Sequence, residues 1–222
     1  MKIIAIIGSP HGMGGTTGRL LEEVISGLGA ATELELLDLS TLQVQPCLGC
    51  DACHRSGCCH LPDDYEKIKA GLLACDGFIL ASPSYIFSVT AQLKALFDRC
   101  SGLIHCLALE GKYGAVVATS GGADHDELLR YMVRFINSAG AQSVGAVSSI
   151  ANGRRSFPKQ SELFDRAREL GRELCRCIRE QDHFPDQAGY RGSFKARMKR
   201  LVESRKDDWG FEFRHWQNHH TS

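Results

Sequence analysis

The densest group of reactive side chains in the sequence is a run of thiols in residues 47–59. Five of the chain's ten cysteines fall there, and they are Cys47, Cys50, Cys53, Cys58 and Cys59. Three thiolates spaced by two residues can bind one cubic iron–sulfur cluster, and a fourth thiolate closes it. A redox dithiol, a zinc site or a structural loop of buried thiols are the alternatives.

The remaining thiols are scattered along the chain. They are Cys75, Cys100, Cys106, Cys175 and Cys177. We predict that they behave as small buried hydrophobic side chains. Two histidines of the cysteine segment, His54 and His60, are zinc ligands in principle, but we expect both to lie on the surface.

A second segment with chemical character is glycine-rich and stands between an apolar strand and a helix. Gly8–Thr17 reads G-S-P-H-G-M-G-G-T-T. It lacks the lysine of a Walker loop and the third glycine of a dinucleotide fingerprint. Hydroxyls beside the N-terminus of a helix suit a terminal monophosphate such as that of FMN. A glycine-rich turn without a ligand is the alternative.

Two further loops follow apolar strands. Ser82–Ser88 carries one proline and two aromatic residues, which can flank a flat ligand, although aromatic residues at such a place also serve a core. Thr119–Gly122 can offer backbone hydrogen bonds to the polar edge of a ring, or it simply starts the next helix.

Apolar runs and helical patterns alternate along the chain and must position these loops. The predicted strands are Lys2–Ile7, Ala31–Leu39, Gly77–Ala81, Tyr113–Ala118 and Gln142–Ser149. The predicted helices are Thr16–Leu28, Asp63–Ala74, Thr90–Cys100, Asp124–Ser138 and Ser161–Arg179, with Asp63 or Asp64 as an N-cap and Thr41–Pro62 as loop. Such alternation predicts a doubly wound parallel sheet. Its strand-to-helix loops, the cysteine segment included, would then share one rim, where ligands bind.

The chain changes character after residue 180. We predict a domain over residues 1–180 and a C-terminal arm over 181–222. Within the arm, His183–Ser193 is predicted to be a linker, Phe194–Ser204 a short basic helix and Trp209–Trp216 an aromatic end. Exposed aromatic residues are a liability, so the arm should pack on its own domain or, by preference, on a neighbouring subunit.

Composition sets the broad class of the protein. The 222 residues carry 26 basic and 26 acidic side chains, and 43% of them are hydrophobic. This balance argues against nucleic acid as a partner. No apolar run is long enough for a membrane span or a secretion signal. We therefore expect a cytoplasmic protein.

The motifs together resemble the NAD(P)H-dependent FMN reductase family. The resemblance rests on G-S-P-H-G-M-G-G-T-T, on S-P-S-Y-I-F-S-V-T-A-Q-L-K-A-L-F-D-R and on T-S-G-G. It implies a flavodoxin-like α/β fold with strand order 2-1-3-4-5, bound FMN, and a homodimer or homotetramer.

The resemblance also assigns binding residues. The phosphate falls to the first loop: Ser9, His11, Gly14, Gly15, Thr16 and Thr17. The isoalloxazine ring is assigned to the second loop, through Pro83, Ser84, Tyr85, Phe87 and Ser88. The edge of the ring is assigned to the third loop, through Thr119, Ser120, Gly121 and Gly122. His11 departs from the arginine that relatives usually carry.

The cysteine spacing is similar to that of the iron–sulfur flavoproteins, a branch of this family with C-x2-C-x2-C-x5-C followed by an aspartate pair. The resemblance makes Cys47, Cys50, Cys53 and Cys59 the ligands of a [4Fe–4S] cluster, with Cys58 as an extra thiol. Asp63 and Asp64 match the aspartate pair.

Three functions follow as hypotheses. The first is an FMN-dependent electron-transfer flavoprotein whose cluster exchanges single electrons with FMN, served by a small-molecule or ferredoxin-like carrier. The second is an NAD(P)H-dependent reductase of flavin or quinone with no cluster. The third is a non-enzymatic flavin- or metal-binding interaction module. The sequence shows no triad or acid–base pair, so the cofactor would carry the chemistry.

Overall fold

A parallel sheet forms the centre of the protein, which a computed structural model describes over residues 1–122 and 125–219. Its strands are β1 (Lys2–Ile7), β2 (Glu33–Asp38), β3 (Gly77–Pro83), β4 (Tyr113–Ser120) and β5 (Gln142–Ile150). They pair in the order β2-β1-β3-β4-β5, all parallel. The predicted flavodoxin-like order is confirmed.

Helices cover both faces of the sheet. They are α1 (Thr16–Ser26), α2 (Ala52–Ser56), α3 (Tyr65–Ala74), α4 (Ala91–Arg99), α5 (Ser101–His105), α6 (Asp126–Ser138), α7 (Gln160–Glu180), α8 (Pro185–Ser204) and α9 (Gly210–His219). Side chains of α1 and α7 join one core cluster, whereas those of α3, α4 and α6 join the other.

The sequence of β1 explains why it is central. Its side chains alternate between the two faces: Ile3, Ala5 and Ile7 enter the core under α1 and α7, while Ile4 and Ile6 enter the opposite core. All five are fully buried. A strand covered on both sides must be apolar throughout, which is why a continuous run of aliphatic residues marks it.

The predicted elements match closely up to residue 180. Four strands begin at the predicted residue, and β2 begins two residues later, at Glu33. Helix α3 follows Asp64 at its N-cap position, although no described side chain makes the cap hydrogen bond. Helix α6 begins at Asp126, and the predicted start at Asp124 lies outside the described residues.

Two local predictions were wrong, and one short helix was not predicted. The segment 41–62 is not all loop, because it contains α2, and α5 follows α4 where no element was predicted. The predicted linker 183–193 belongs largely to α8. Pro185 occupies the first turn of α8, where proline is favoured rather than disruptive, and packing on α6 outweighs the weak propensity of Gly189 and Gly192.

The C-terminal arm packs on its own domain. Trp209 and Trp216 are buried with Leu107, Met198 and Val202 in a third core cluster. The Trp216 indole donates to the His105 carbonyl at 2.9 Å. The preferred alternative, packing on a neighbouring subunit, stays a prediction.

A search of the helices in the described part of the chain finds none that is long and apolar enough to span a bilayer.

Candidate functional site

The loop between β1 and α1 is shaped by one strained turn. Gly12 has φ of +51°, and a Cβ atom there would lie 2.1 Å from Asp38 Oδ2. The Gly12 amide donates to the Ser9 carbonyl at 2.9 Å, and the Met13 amide donates to Asp38 Oδ2 at 3.3 Å. Glycine is therefore required at this position, and the end of β2 supports the loop.

The loop delivers hydroxyls to the start of α1. Gly15 is extended, and no described side chain caps this helix end. Thr16 Oγ1 accepts from the Arg155 amide at 3.1 Å, so its own proton remains available to a ligand. Thr17 Oγ1 and Thr119 Oγ1 lie 2.6 Å apart in a buried hydrogen bond. This bond joins the first loop to the end of β4.

These groups line one pocket, which we call the phosphate-loop pocket. Ten of its lining residues were predicted: Ser9, His11, Thr16, Thr17, Pro83, Ser84, Tyr85, Thr119, Ser120 and Gly121. Ala151, which follows β5, also lines it and was missed. Gly14, Gly15 and Gly122 were predicted but are not among the described lining residues, although Gly15 and Gly122 adjoin lining residues along the chain.

The second loop contributes less than predicted. Tyr85 and Ser88 exchange backbone hydrogen bonds at 2.9 and 3.2 Å, closing a turn whose tip is Ile86 and Phe87. Both tip residues have positive φ. The Phe87 side chain is 60% exposed and, like Ser88, does not line the pocket in the described structure. The predicted aromatic slot therefore consists of Tyr85 beside Pro83.

Arg155 is a supporting residue that the sequence did not reveal. Its guanidinium donates to the Met13 carbonyl at 2.5 Å and to the Gly15 carbonyl at 3.3 Å. The same group binds both carboxylate oxygens of Glu22 at 2.9 and 2.8 Å. Arg155 thus clamps the first loop onto α1 from a position far along the chain.

The pocket fits the phosphate of FMN by its donor set. It combines the uncapped N-terminus of an eleven-residue helix with the hydroxyls of Ser9, Thr16 and Thr17. Ser9 and Thr17 are buried, so a charged group there would meet fixed dipoles rather than bulk water.

A second cavity, of about 240 Å³, lies inside the cysteine segment, and we call it the cysteine cavity. Four thiols line it, and they are Cys47, Cys50, Cys53 and Cys59. Cys58 lines a neighbouring cavity instead. The four residues that the resemblance assigned are therefore the four that face a common space.

The aspartate pair fixes the two ends of this segment. Asp63 Oδ2 accepts from the Gln45 amide at 2.8 Å, and Asp64 Oδ2 accepts from the Gln43 amide at 2.7 Å. Asp63 also forms a buried ion pair with Arg99, with contacts of 2.5 and 3.0 Å. Burial raises the pKa of Asp63, but the hydrogen bonds from Arg99, Gln45 and Tyr65 outweigh it and leave the pKa below its usual value.

Arg99 supports the assignment of the cavity to a charged group. It lines the cysteine cavity, and its side chain is 1% exposed. Its Nε atom is buried without a hydrogen-bond partner among the described residues. Four thiolates with bridging sulfides would give this donor an acceptor, so the donor set fits an iron–sulfur cluster.

Cys53 has a hydroxyl and an imidazole beside its sulfur. Its Sγ is 3.9 Å from Ser101 Oγ and 4.0 Å from His54 Nδ1. Burial raises the pKa of the thiol, but the hydrogen bond and charge of His54, together with Ser101, leave it lower than usual. These contacts therefore favour the thiolate form of Cys53.

The prediction that His54 lies on the surface was wrong. His54 is 6% exposed, and its Nδ1 lies 2.5 Å from Glu212 Oε1. Burial lowers the pKa of His54, yet the hydrogen bonds to Cys53 and Glu212 raise it to about 10 overall. His60 is exposed as predicted.

The five scattered cysteines are all buried, as predicted. Burial raises the pKa of Cys75 to about 11 and of Cys100, Cys106 and Cys177 to about 12. Such thiols are poor nucleophiles and poor ligands at neutral pH.

The two cavities are separate. Thr90, at the start of α4, donates to the Gly8 carbonyl at 2.5 Å beside the phosphate-loop pocket. Arg99, at the end of the same helix, lines the cysteine cavity. Nine residues at 1.5 Å each span about 13 Å. The loops after β1, β3 and β4 therefore share one rim of the sheet, as expected. The cysteine segment does not join them and encloses a separate cavity.

Known proteins resemble a large part of this chain. A family model for NADPH-dependent FMN reductase matches residues 1–154. An iron-sulfur flavoprotein of Archaeoglobus fulgidus is 34% identical over 147 residues, 65% of this chain and 66% of that protein. Another, of Methanocaldococcus jannaschii, is 39% identical over 119 residues, 53% of this chain and 61% of that protein. The matches thus span just under two thirds of these relatives.

The fold has close counterparts among solved structures. The flavodoxin, WrbA-like protein from Agrobacterium tumefaciens superposes with a TM-score of 0.54 at 17% identity, covering 82% of this chain and 98% of that one. At this identity the likeness shows the flavodoxin-like fold alone. The family model covers well over half of the chain, including the glycine loop, the cysteine segment and the turn after β4, and the chain therefore belongs to the NADPH-dependent FMN reductase family.

Proposed function

We propose that this protein is an FMN-dependent electron-transfer oxidoreductase that carries a [4Fe–4S] cluster. One observation carries the proposal: Cys47, Cys50, Cys53 and Cys59 face one cavity, while Cys58 does not. The buried Nε of Arg99, which has no hydrogen-bond partner among the described residues, lies on a side chain that lines this cavity and supports a sulfur-rich anion there. The relatives named iron-sulfur flavoproteins support it as well.

FMN would occupy the phosphate-loop pocket. Ser9, Thr16 and Thr17 would bind the phosphate, and Pro83 and Tyr85 would lie against the ring. Ser84, which lines the pocket, already donates its amide to the Thr119 carbonyl at 2.7 Å. Its backbone conformation is therefore fixed before a ligand arrives.

The division of labour follows from the two cavities. When bound, FMN supplies hydride and single-electron chemistry, and the cluster supplies one-electron transfer. The protein contributes binding and orientation: Arg155 holds the phosphate loop closed, and Asp63 holds Arg99 against the cysteine cavity. NAD(P)H as electron donor, a ferredoxin-like or small-molecule acceptor and a homo-oligomeric state belong to the same proposal.

A second candidate is an NAD(P)H-dependent flavin or quinone reductase that holds no cluster. The family description favours NADPH as its substrate. Cys47 and Cys50 are exposed. Water can therefore solvate both thiols, and neither requires a metal ion as a partner. In this case the cysteine cavity would hold no iron, and its thiols would form a redox-active dithiol.

Purification without oxygen, followed by assays of flavin, iron and acid-labile sulfide, separates the two. The proposal predicts one FMN with about four irons and four sulfides per chain after reconstitution. Flavin without iron after reconstitution would reject the cluster and leave the second candidate. A protein that takes up neither FMN nor iron would contradict both.

A further inference from the structure

Helix α9 carries a fully buried carboxylate beneath the cysteine segment. The Glu212 side chain is 0% exposed. Its Oε1 lies 2.5 Å from His54 Nδ1, and its Oε2 lies 3.1 Å from His105 Nδ1. Burying a carboxylate is costly unless hydrogen bonds satisfy it, and here each oxygen has an imidazole partner.

Aromatic packing fixes both imidazoles. The rings of His54 and His105 stack with their centroids 4.9 Å apart. Trp209 covers them at 4.4 and 5.0 Å. The two histidines therefore have little freedom to rotate away from Glu212.

The arm also packs closely against α2, the helix that carries Cys53. Gly57, which ends α2 with φ of +82°, faces Phe211 so closely that a Cβ atom would lie 2.5 Å from the ring. His54 follows Cys53 directly, and its Nδ1 lies 4.0 Å from the Cys53 sulfur. Contacts that hold the His54 ring in place therefore also restrain the neighbouring thiol.

We propose that Glu212 is a positioning residue for the cluster. Through the hydrogen bond from His54 Nδ1, it fixes the imidazole that lies beside the Cys53 sulfur and so holds that sulfur in place as a ligand. The surroundings of the ligand sulfurs set a cluster's reduction potential, so loss of this support would change the potential. The inference rests on the proposed cluster, and it gives the C-terminal arm, which lies beyond the family match, a role in redox tuning.

The same side chains admit another arrangement. One ligand atom each from His54, His105 and Glu212 lie within 4.8 Å of one another, close enough to hold a metal ion. The direct hydrogen bonds satisfy the carboxylate without a metal, so we favour positioning. A separate metal site becomes an outcome of the test.

The test compares Glu212→Gln with Glu203→Gln, an exposed glutamate on α8. Hydrogen exchange of residues 51–57 in the iron-free chain should become about tenfold faster or more in Glu212→Gln, because a charge-assisted hydrogen bond is lost. After reconstitution, the midpoint potential, followed by electron paramagnetic resonance, should shift from the wild-type value. Glu203→Gln should match the wild type in both measurements.

A second variant guards against misfolding. His105→Phe retains the ring stack and the Glu212–His54 contact but removes the other hydrogen bond. The midpoint potential of this variant should stay near the wild-type value. That result would assign the effect of Glu212 to its hydrogen bond with His54.

Three results would overturn the inference. The first is unchanged exchange and unchanged potential in Glu212→Gln. The second is an equal shift in potential in His105→Phe. The third is one zinc per chain that binds to a variant with Cys47, Cys50, Cys53 and Cys59 replaced by serine and is lost with Glu212→Gln. A wild-type chain that takes up no iron would reject the proposed function, and exchange alone would then decide whether Glu212 positions the segment.

Discussion

The phosphate-loop pocket and the cysteine cavity are built in different ways. The first collects short loops at the carboxyl ends of β1, β3 and β4, with hydroxyls and backbone as its working groups. The second lies within a single long segment, closed by the ends of α4 and α5 and supported by α9. At a sheet edge, the order of the strands alone brings the loops of a site together. A long loop instead needs side-chain hydrogen bonds to hold its shape, and here Asp63, Asp64 and Glu212 provide them.

Removing one thiol should give the largest difference between the cysteine cavity and the phosphate-loop pocket. Cys59→Ser should abolish cluster binding, because the fourth ligand of the cavity is lost, while FMN affinity stays unchanged. Cys58→Ser is the matched control and should retain about four irons per chain. Iron and flavin assays on the purified proteins measure both. Equal iron content in the two variants would mean that the cavity does not bind a cluster through Cys59.

The reciprocal change acts on the strained turn of the first loop. Gly12→Ala places a methyl group at positive φ against Asp38, so FMN binding should weaken by about 100-fold, consistent with about 1–3 kcal/mol of strain. Fluorescence titration with FMN measures the change. Gly29→Ala, where the Cβ meets open space, is the control. Wild-type affinity in Gly12→Ala would show that FMN does not bind at this loop.

A smaller effect is expected from one hydroxyl. Thr17→Val removes a hydrogen bond to the phosphate and the bond to Thr119. A charged hydrogen bond contributes about 1.5–3 kcal/mol, so the FMN dissociation constant should rise about 10- to 100-fold. Thr32→Val, in the turn before β2, should leave it unchanged. If iron content fell instead of flavin affinity, the two cavities would not be independent.

The smallest expected effect concerns the clamp across the first pocket. Arg155→Ala frees the carbonyls of Met13 and Gly15 and should weaken FMN binding about 3- to 10-fold, the effect of roughly one hydrogen bond. The neighbouring exposed Arg154 provides the control variant, Arg154→Ala. An unchanged dissociation constant in Arg155→Ala would show that the loop keeps its shape without the guanidinium.

The sequence indicated the residues that line the two cavities better than it indicated the residues that support them. The strand starts and the glycine loop carry local signals, because a buried parallel strand is apolar throughout and a phosphate loop needs glycine and hydroxyls. Spacing alone left Cys58 and Cys59 open as the fourth thiol, and the family resemblance selected Cys59. Phe87 lies outside the described pocket lining, because an aromatic side chain at a loop tip looks the same in sequence whether it faces a pocket or solvent.

The supports were invisible because their contacts join distant parts of the chain. Arg155 meets Glu22 across 133 positions, and His54 meets Glu212 across 158. Neither pair follows a helical or strand period. The linker prediction failed for a related reason, since glycine and proline locally disfavour a helix that tertiary packing stabilises in α8.

The decisive experiment is anomalous diffraction at the iron edge, from crystals of protein purified without oxygen and supplied with FMN. We expect an iron cluster bounded by Cys47, Cys50, Cys53 and Cys59, with the flavin phosphate at Ser9, Thr16 and Thr17. Absence of iron signal from the cysteine cavity, or a flavin phosphate bound away from the glycine loop, would contradict it.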